Sequence, residues 1–195
     1  MTESGSETTF FSSNREQRLW IWTLIVVAAI YSTLGLTATL AETLRERGMF
    51  TNAFIIAFFL MLAAVLTQGL RVRPRGVEIG IGIGIAAVYM MVFARMGIIE
   101  RTHLFEYSIV ATLIYEALKE RVSHGRHVRV PALLAILISS LIGVADECIQ
   151  LFLPSRVFDP IDMGFNALAS LMAVIANVSL GWARSRWGQR SGWVG

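Results

Sequence analysis

Residues 19–40 read LWIWTLIVVAAIYSTLGLTATL, a run without one charged side chain. As a helix rising about 1.5 Å per residue it reaches about 33 Å, enough to cross a hydrocarbon layer of about 30 Å. Lipid offers no hydrogen-bond partner to a bare backbone, so such a run crosses only as helix. It is longer than the apolar core of a signal peptide, which makes it an uncleaved first span. The stretch before it, Met1 to Asn14, is rich in Ser, Thr and Glu and reads as disordered, with Arg15 and Arg18 at the edge of the run.

Working outward, the same pattern recurs. The 195 residues are 55% hydrophobic and 16% charged, a composition that suits one membrane domain and not a soluble one. The expected fold is an all-α polytopic transmembrane helix bundle with six spans, at 19–40, 52–70, 77–97, 103–118, 131–153 and 161–182. The fourth is short and carries His103, Glu106 and Glu116, so five spans is the alternative. Pro131 opens the fifth span, and Pro154 and Pro160 bracket the turn before the sixth. The domain organisation is a polar amino-terminal tail over 1–18, a transmembrane domain over 19–183 and a short basic tail over 184–195.

The seventeen Lys and Arg residues orient these spans. With six spans, Arg15, Arg18, Arg71, Arg73, Arg75, Lys119, Arg121, Arg126, Arg129, Arg184, Arg186 and Arg190 fall on one side. Arg45, Arg47, Arg95, Arg101 and Arg156 fall on the other, twelve against five. The positive-inside rule then places both termini in the cytoplasm. Basic residues confined to short connectors explain the pI of about 9.5 without a nucleic-acid partner. Cys148 is the one cysteine, so no internal disulfide forms, and it reads as a small apolar filler. Gly80 and Gly84 in the third span suit close helix packing. His124 and His127 read as members of a solvated basic loop.

Three stretches hold the polar groups that loops do not explain: His103-Leu-Phe-Glu106-Tyr107, Asp146-Glu147-Cys-Ile-Gln150 and Arg156-Val-Phe-Asp159-Pro-Ile-Asp162-Met-Gly-Phe-Asn166. At about 100° per residue, Asp146, Gln150 and Glu147 share one face with Ser139 and Gly143, and Asp162 shares another with Asn166, Ser170 and Ala173. His103, Glu106 and Tyr107 lie within an arc of about 100°. In the charge-derived topology all three stripes reach one shallow layer, about 5–10 Å below the outer boundary. An ionised side chain at mid-bilayer costs about 2.5–3.5 kcal/mol, so such a layer is either paired into a structural network or wetted as a functional pocket. Both readings stand at this level.

The run Asp146-Glu147-x-x-Gln150-x-Phe152-x-Pro154-x-Arg156, followed by Asp162 and Asn166, resembles the signature of VanZ-like membrane proteins, as does His103-x-x-Glu106-Tyr107. The specific likeness covers residues 103–107 and 146–169, within a looser one from the first span to Ala173. Ala169 departs from it, standing where the pattern usually has glycine. The resemblance implies a multi-pass protein of the bacterial plasma (inner) membrane, in a family whose founding member is associated with resistance to the glycopeptide teicoplanin.

The function expected is a polar pocket at the outer membrane face that binds or modifies the head group of a lipid or of a lipid-linked cell-envelope precursor. Glu147 or Glu106 would be the general base and His103 the proton donor or a metal ligand. Arg156 would clamp phosphate or carboxylate. Asp146, Gln150, Asp159, Asp162, Asn166 and Tyr107 would complete the binding layer. No cofactor is required, though His103 with Glu106, Asp146 and Glu147 could hold a divalent cation. The alternative is a non-catalytic scaffold or subunit whose polar layer is a hydrogen-bond network that docks another membrane protein. A transporter is disfavoured by the absence of a repeat and by the shallow, one-sided layer.

Overall fold

The computed structural model describes residues 10–49, 52, 56, 76–95, 98–153 and 158–188. Five long helices are described: α1 (Asn14–Glu46), α2 (Gly76–Arg95), α3 (Ile98–Ser123), α4 (Pro131–Gln150) and α5 (Pro160–Gly188). No strand occurs among the described residues. The predicted second span, 52–70, lies outside them but for two positions, as do the connector at Arg71, Arg73, Pro74 and Arg75 and the loop residues Pro154 and Arg156.

Among the described residues, four helical stretches are long and apolar enough to cross a membrane: Asn14–Leu34, Gly76–Arg95, Pro131–Gln150 and Pro160–Arg186. They correspond to the predicted first, third, fifth and sixth spans. α1 begins at Asn14, so positions 14–18 are helical, and α5 runs on to Gly188. The polarity of the bundle is that of a membrane protein. Its outside carries Leu133, Leu137, Leu141, Ile175 and Val178, while Ser139, Asp146, Glu147, Gln150, Asn166 and Ser170 are buried. A soluble protein reverses this distribution. α2 buries no residue against the described helices. An added Cβ at Gly80 or Gly84 meets nothing within 4 Å, so the close approach expected there is not made by any described helix.

α3, the predicted fourth span, does not reach the apolarity of the others. It is instead the hub, packed against α1, α4 and α5. Leu104, Tyr107, Val110, Ala111, Ile114, Ala117 and Leu118 are all buried, and Val110, Ala111, Ile114 and Leu118 join Ile30, Ala135, Ala173 and Val174 in one apolar cluster. A helix enclosed by neighbours need not be apolar all round, because protein and not lipid meets its polar positions.

Polar ties set the directions of the helices. Tyr31 of α1 donates to the Ile142 carbonyl of α4 at 2.7 Å. Asn177 of α5 donates to Thr112 of α3 at 3.1 Å, and Ser108 lies one turn earlier on α3, 3.4 Å from the Ala169 carbonyl. Contacts at 108 with 169 and at 112 with 177 make α3 and α5 parallel. The starts of α1, α2 and α4 therefore share one end of the bundle with the finishes of α3 and α5. At that end Arg15 donates to Glu120 at 2.7 Å and to Glu116 at 3.2 Å, Arg121 pairs with Glu16 at 3.0 Å, and Arg184 reaches Glu78 at 3.3 Å. Ser13 also donates to Glu120, at 3.0 Å. The opposite end collects the start of α3, the finish of α4 and the start of α5.

Candidate functional site

At this second end the polar stripes meet. Each helix contributes for a local reason. Pro131 starts α4 at a position where its missing N–H costs nothing, and the helix then runs far enough to bring Asp146, Glu147 and Gln150 to its last turn. Asp159 caps α5: its Oδ1 accepts the Ile161 N–H at 2.8 Å, one residue beyond Pro160. That cap fixes where α5 begins and so sets Asp162 in the first turn and Asn166 one turn below it.

Close approach of α4 and α5 depends on Gly143. A Cβ there would lie 2.7 Å from the Asn166 Cβ, inside van der Waals contact. The Asn166 Nδ2 points at the Gly143 carbonyl at 3.5 Å, while its Oδ1 is buried with no hydrogen-bond partner among the described residues. Deeper in the seam, Ser170 Oγ lies 2.8 Å from both Ser139 Oγ and the Asn166 carbonyl.

His103 enters between the two helices from α3. It is 2% exposed and stacks on Tyr107, with ring centroids 6.1 Å apart. Its two ring nitrogens face two carboxylates: Nδ1 is 3.9 Å from Asp146 Oδ2, and Nε2 is 4.0 Å from Asp162 Oδ2. Asp146, fully buried, accepts the Tyr107 hydroxyl at 2.9 Å. Glu147 is also fully buried; Gln150 donates to its Oε1 at 3.2 Å, and the Asp159 N–H lies 3.4 Å from its Oε2. Donor atoms of His103, Glu147 and Asp162 all lie within 4.8 Å of one another.

The structure thus brings together His103, Tyr107, Asp146, Glu147, Gln150, Asp162 and Asn166, on three helices. Asp159 joins them through its backbone N–H, while its side chain serves as the helix cap. Glu106 is half-buried and lies one residue from Tyr107 on the same helix. Cys148 lies on α4 and is exposed, while the buried face of that turn is taken by Asp146, Glu147 and Gln150. Sequence reasoning missed Tyr31, whose hydroxyl ties α1 to the α4 backbone one residue from Gly143. It also missed the ionic cluster of Arg15, Glu16, Glu116, Glu120 and Arg121 at the far end. Tyr31 stands alone in an apolar run, and only its partner distinguishes it from a lipid-facing tyrosine.

The chemistry open to this arrangement is proton transfer through an imidazole flanked by carboxylates, or coordination of a cation. Comparison with protein-family models, with characterised proteins and with solved structures finds no match to this chain.

Proposed function

We propose that the chain is a VanZ-like integral membrane protein of the bacterial plasma membrane whose buried polar site, at the outer face, binds the polar head group of a lipid or lipid-linked envelope precursor. The observation that carries this reading is the meeting of His103, Asp146, Glu147 and Asp162 from three helices at one end of a bundle whose exterior is apolar. Ionisable groups within a membrane bundle are costly and mark ligand or proton sites more often than packing sites. The positive-inside rule supports an outer placement for that end, since Arg15, Lys119, Arg121 and Arg184 gather at the other. Of the motif residues that resemble the VanZ-like signature, His103, Tyr107, Asp146, Glu147, Gln150, Asp162 and Asn166 line the site. In the catalytic form of this reading His103 passes a proton to or from the head group and Asp146 orients its ring.

The test is lipid retention. The full chain, purified in mild detergent from bacterial membranes, is expected to carry a polar lipid enriched over the bulk extract, read by mass spectrometry, and His103→Ala is expected to lose it. Identical lipid profiles for parent and variant, both folded by size exclusion and thermal melt, would remove the proposal. Teicoplanin susceptibility of cells with and without the chain tests the link to resistance.

A second reading, a structural network that docks another membrane protein, draws on a specific observation: Tyr107 with Asp146, Gln150 with Glu147 and Ser170 with Ser139 satisfy one another. It expects Glu147→Gln to lower stability or assembly with no change in the lipid carried.

A further inference from the structure

We propose that His103, Glu147 and Asp162 hold one divalent metal ion of the Zn²⁺ or Mn²⁺ class, with a remaining coordination position for a phosphate oxygen. The three residues stand on three different helices, and one donor atom from each lies within 4.8 Å of the others. A tetrahedral ion with bonds of about 2.0–2.1 Å holds its ligand atoms about 3.4 Å apart, so the set closes on an ion by contracting about 1.4 Å or less. Side-chain rotation of the half-buried Asp162 supplies that movement more readily than shifts of His103 or Glu147, which are enclosed.

The surroundings have the form of a metal site's outer layer. His103 presents Nε2 to Asp162 and Nδ1 to Asp146, so one nitrogen is directed at the ion while the other faces a carboxylate. That carboxylate is itself held by the Tyr107 hydroxyl at 2.9 Å. A carboxylate behind a ligating imidazole sets its tautomer and raises its basicity. Glu147 is oriented in the same manner by Gln150 and the Asp159 N–H. One turn from Asp162 on the same helix, the buried Oδ1 of Asn166 has no hydrogen-bond partner among the described residues and would accept a hydrogen bond from water carried by a bound ion. One imidazole with two carboxylates favours Zn²⁺ or Mn²⁺ over thiophilic ions and over the all-oxygen cages of Ca²⁺.

The ion also accounts for how an acid-rich site receives an anion. Asp146, Glu147 and Asp162 would repel a phosphate, whereas a bound dication attracts it and offsets their mutual repulsion. That role rests on the head-group reading; the ligand set does not.

The experiment uses the full chain in detergent, stripped with chelator, loaded separately with Zn²⁺, Mn²⁺ or Co²⁺ and passed through a desalting column. About one equivalent of metal should be retained, with a higher melting temperature and, for Co²⁺, a visible absorption band. His103→Ala, Glu147→Gln and Asp162→Asn should each weaken retention about 10-fold or more, and Tyr107→Phe should weaken it without abolishing it. A double variant of His124 and His127, in the basic loop at the far end, should retain metal as the parent does. Retention by the parent below about 0.1 equivalent for all three ions overturns the proposal, as does retention unchanged in the His103, Glu147 and Asp162 variants. Because metal and lipid are measured separately, metal retained without lipid removes only the head-group reading, and lipid retained without metal removes only the ion.

Discussion

The hydroxyl of Tyr107 shows how much rests on single atoms. It is buried and donates to a buried carboxylate oxygen of Asp146. Tyr107→Phe preserves the ring and its stacking on His103 and removes the hydroxyl, and with it one donated hydrogen bond, from a buried site. A buried acceptor deprived of its donor costs about 1–3 kcal/mol, so the melting temperature in detergent should fall, while Tyr115→Phe, a half-buried control on the same helix, should leave it in place. At the far end, Glu120 titrates outside the membrane-spanning segments. Its carboxyl is held below the ordinary value of 4.5 chiefly by the Ser13 hydroxyl, which together with Arg15 and His124 outweighs an upward push from desolvation. A depressed folded value means the contribution is present above the ordinary carboxylate range and is lost as pH falls through the folded value. Docking of residues 10–15 on the end of α3 should therefore loosen below about pH 4.5, read as faster proteolysis after Arg15 or Arg18, and Glu120→Gln should reduce that pH dependence, with Glu16 carrying the remainder.

Among the helices, the seam between α4 and α5 is the most demanding. The Gly143 position has no room for a methyl, since a Cβ would meet the Asn166 Cβ at 2.7 Å. Gly143→Ala must push the two helices apart, at a cost of about 1–3 kcal/mol, and it separates Glu147 from Asp162 as it does so. Lower thermal stability and lower metal retention should appear together. Gly181→Ala on the exposed face of α5 meets nothing within 4 Å and should leave both unchanged. The heptad-scale pattern of Ser139, Gly143, Asp146 and Gln150 already marked this stripe, because one turn of helix repeats every 3.6 residues. Which partner each stripe faces was not legible. Asp162 and Asn166 could have faced α3 alone, and only the packing sets Gly143 against Asn166.

At the scale of the molecule, orientation is the property on which function turns. A cysteine placed at Ser123, the exposed last residue of α3, in a Cys148→Ser background should react with a membrane-impermeant maleimide in inverted vesicles and not in right-side-out ones. The reverse pattern would put the His103 site on the cytoplasmic side and remove the outer-face assignment. What the amino-acid sequence alone determined was the helical, apolar-surfaced character of the chain and the faces on which its scarce polar residues fall. Both follow from local rules: lipid enforces backbone pairing within each segment, and helical periodicity places side chains at about 100° intervals. Only the tertiary structure decided that α3, the least apolar helix, is the hub, that Tyr107 grips Asp146, and that His103 stands between Asp146 and Asp162. These depend on residues far apart in the chain meeting across helix seams, His103 and Asp162 at 59 positions and Arg15 and Glu120 at 105, and no local rule specifies which seams form: that is decided by side-chain fit, as at Gly143, where a single missing methyl lets two helices close.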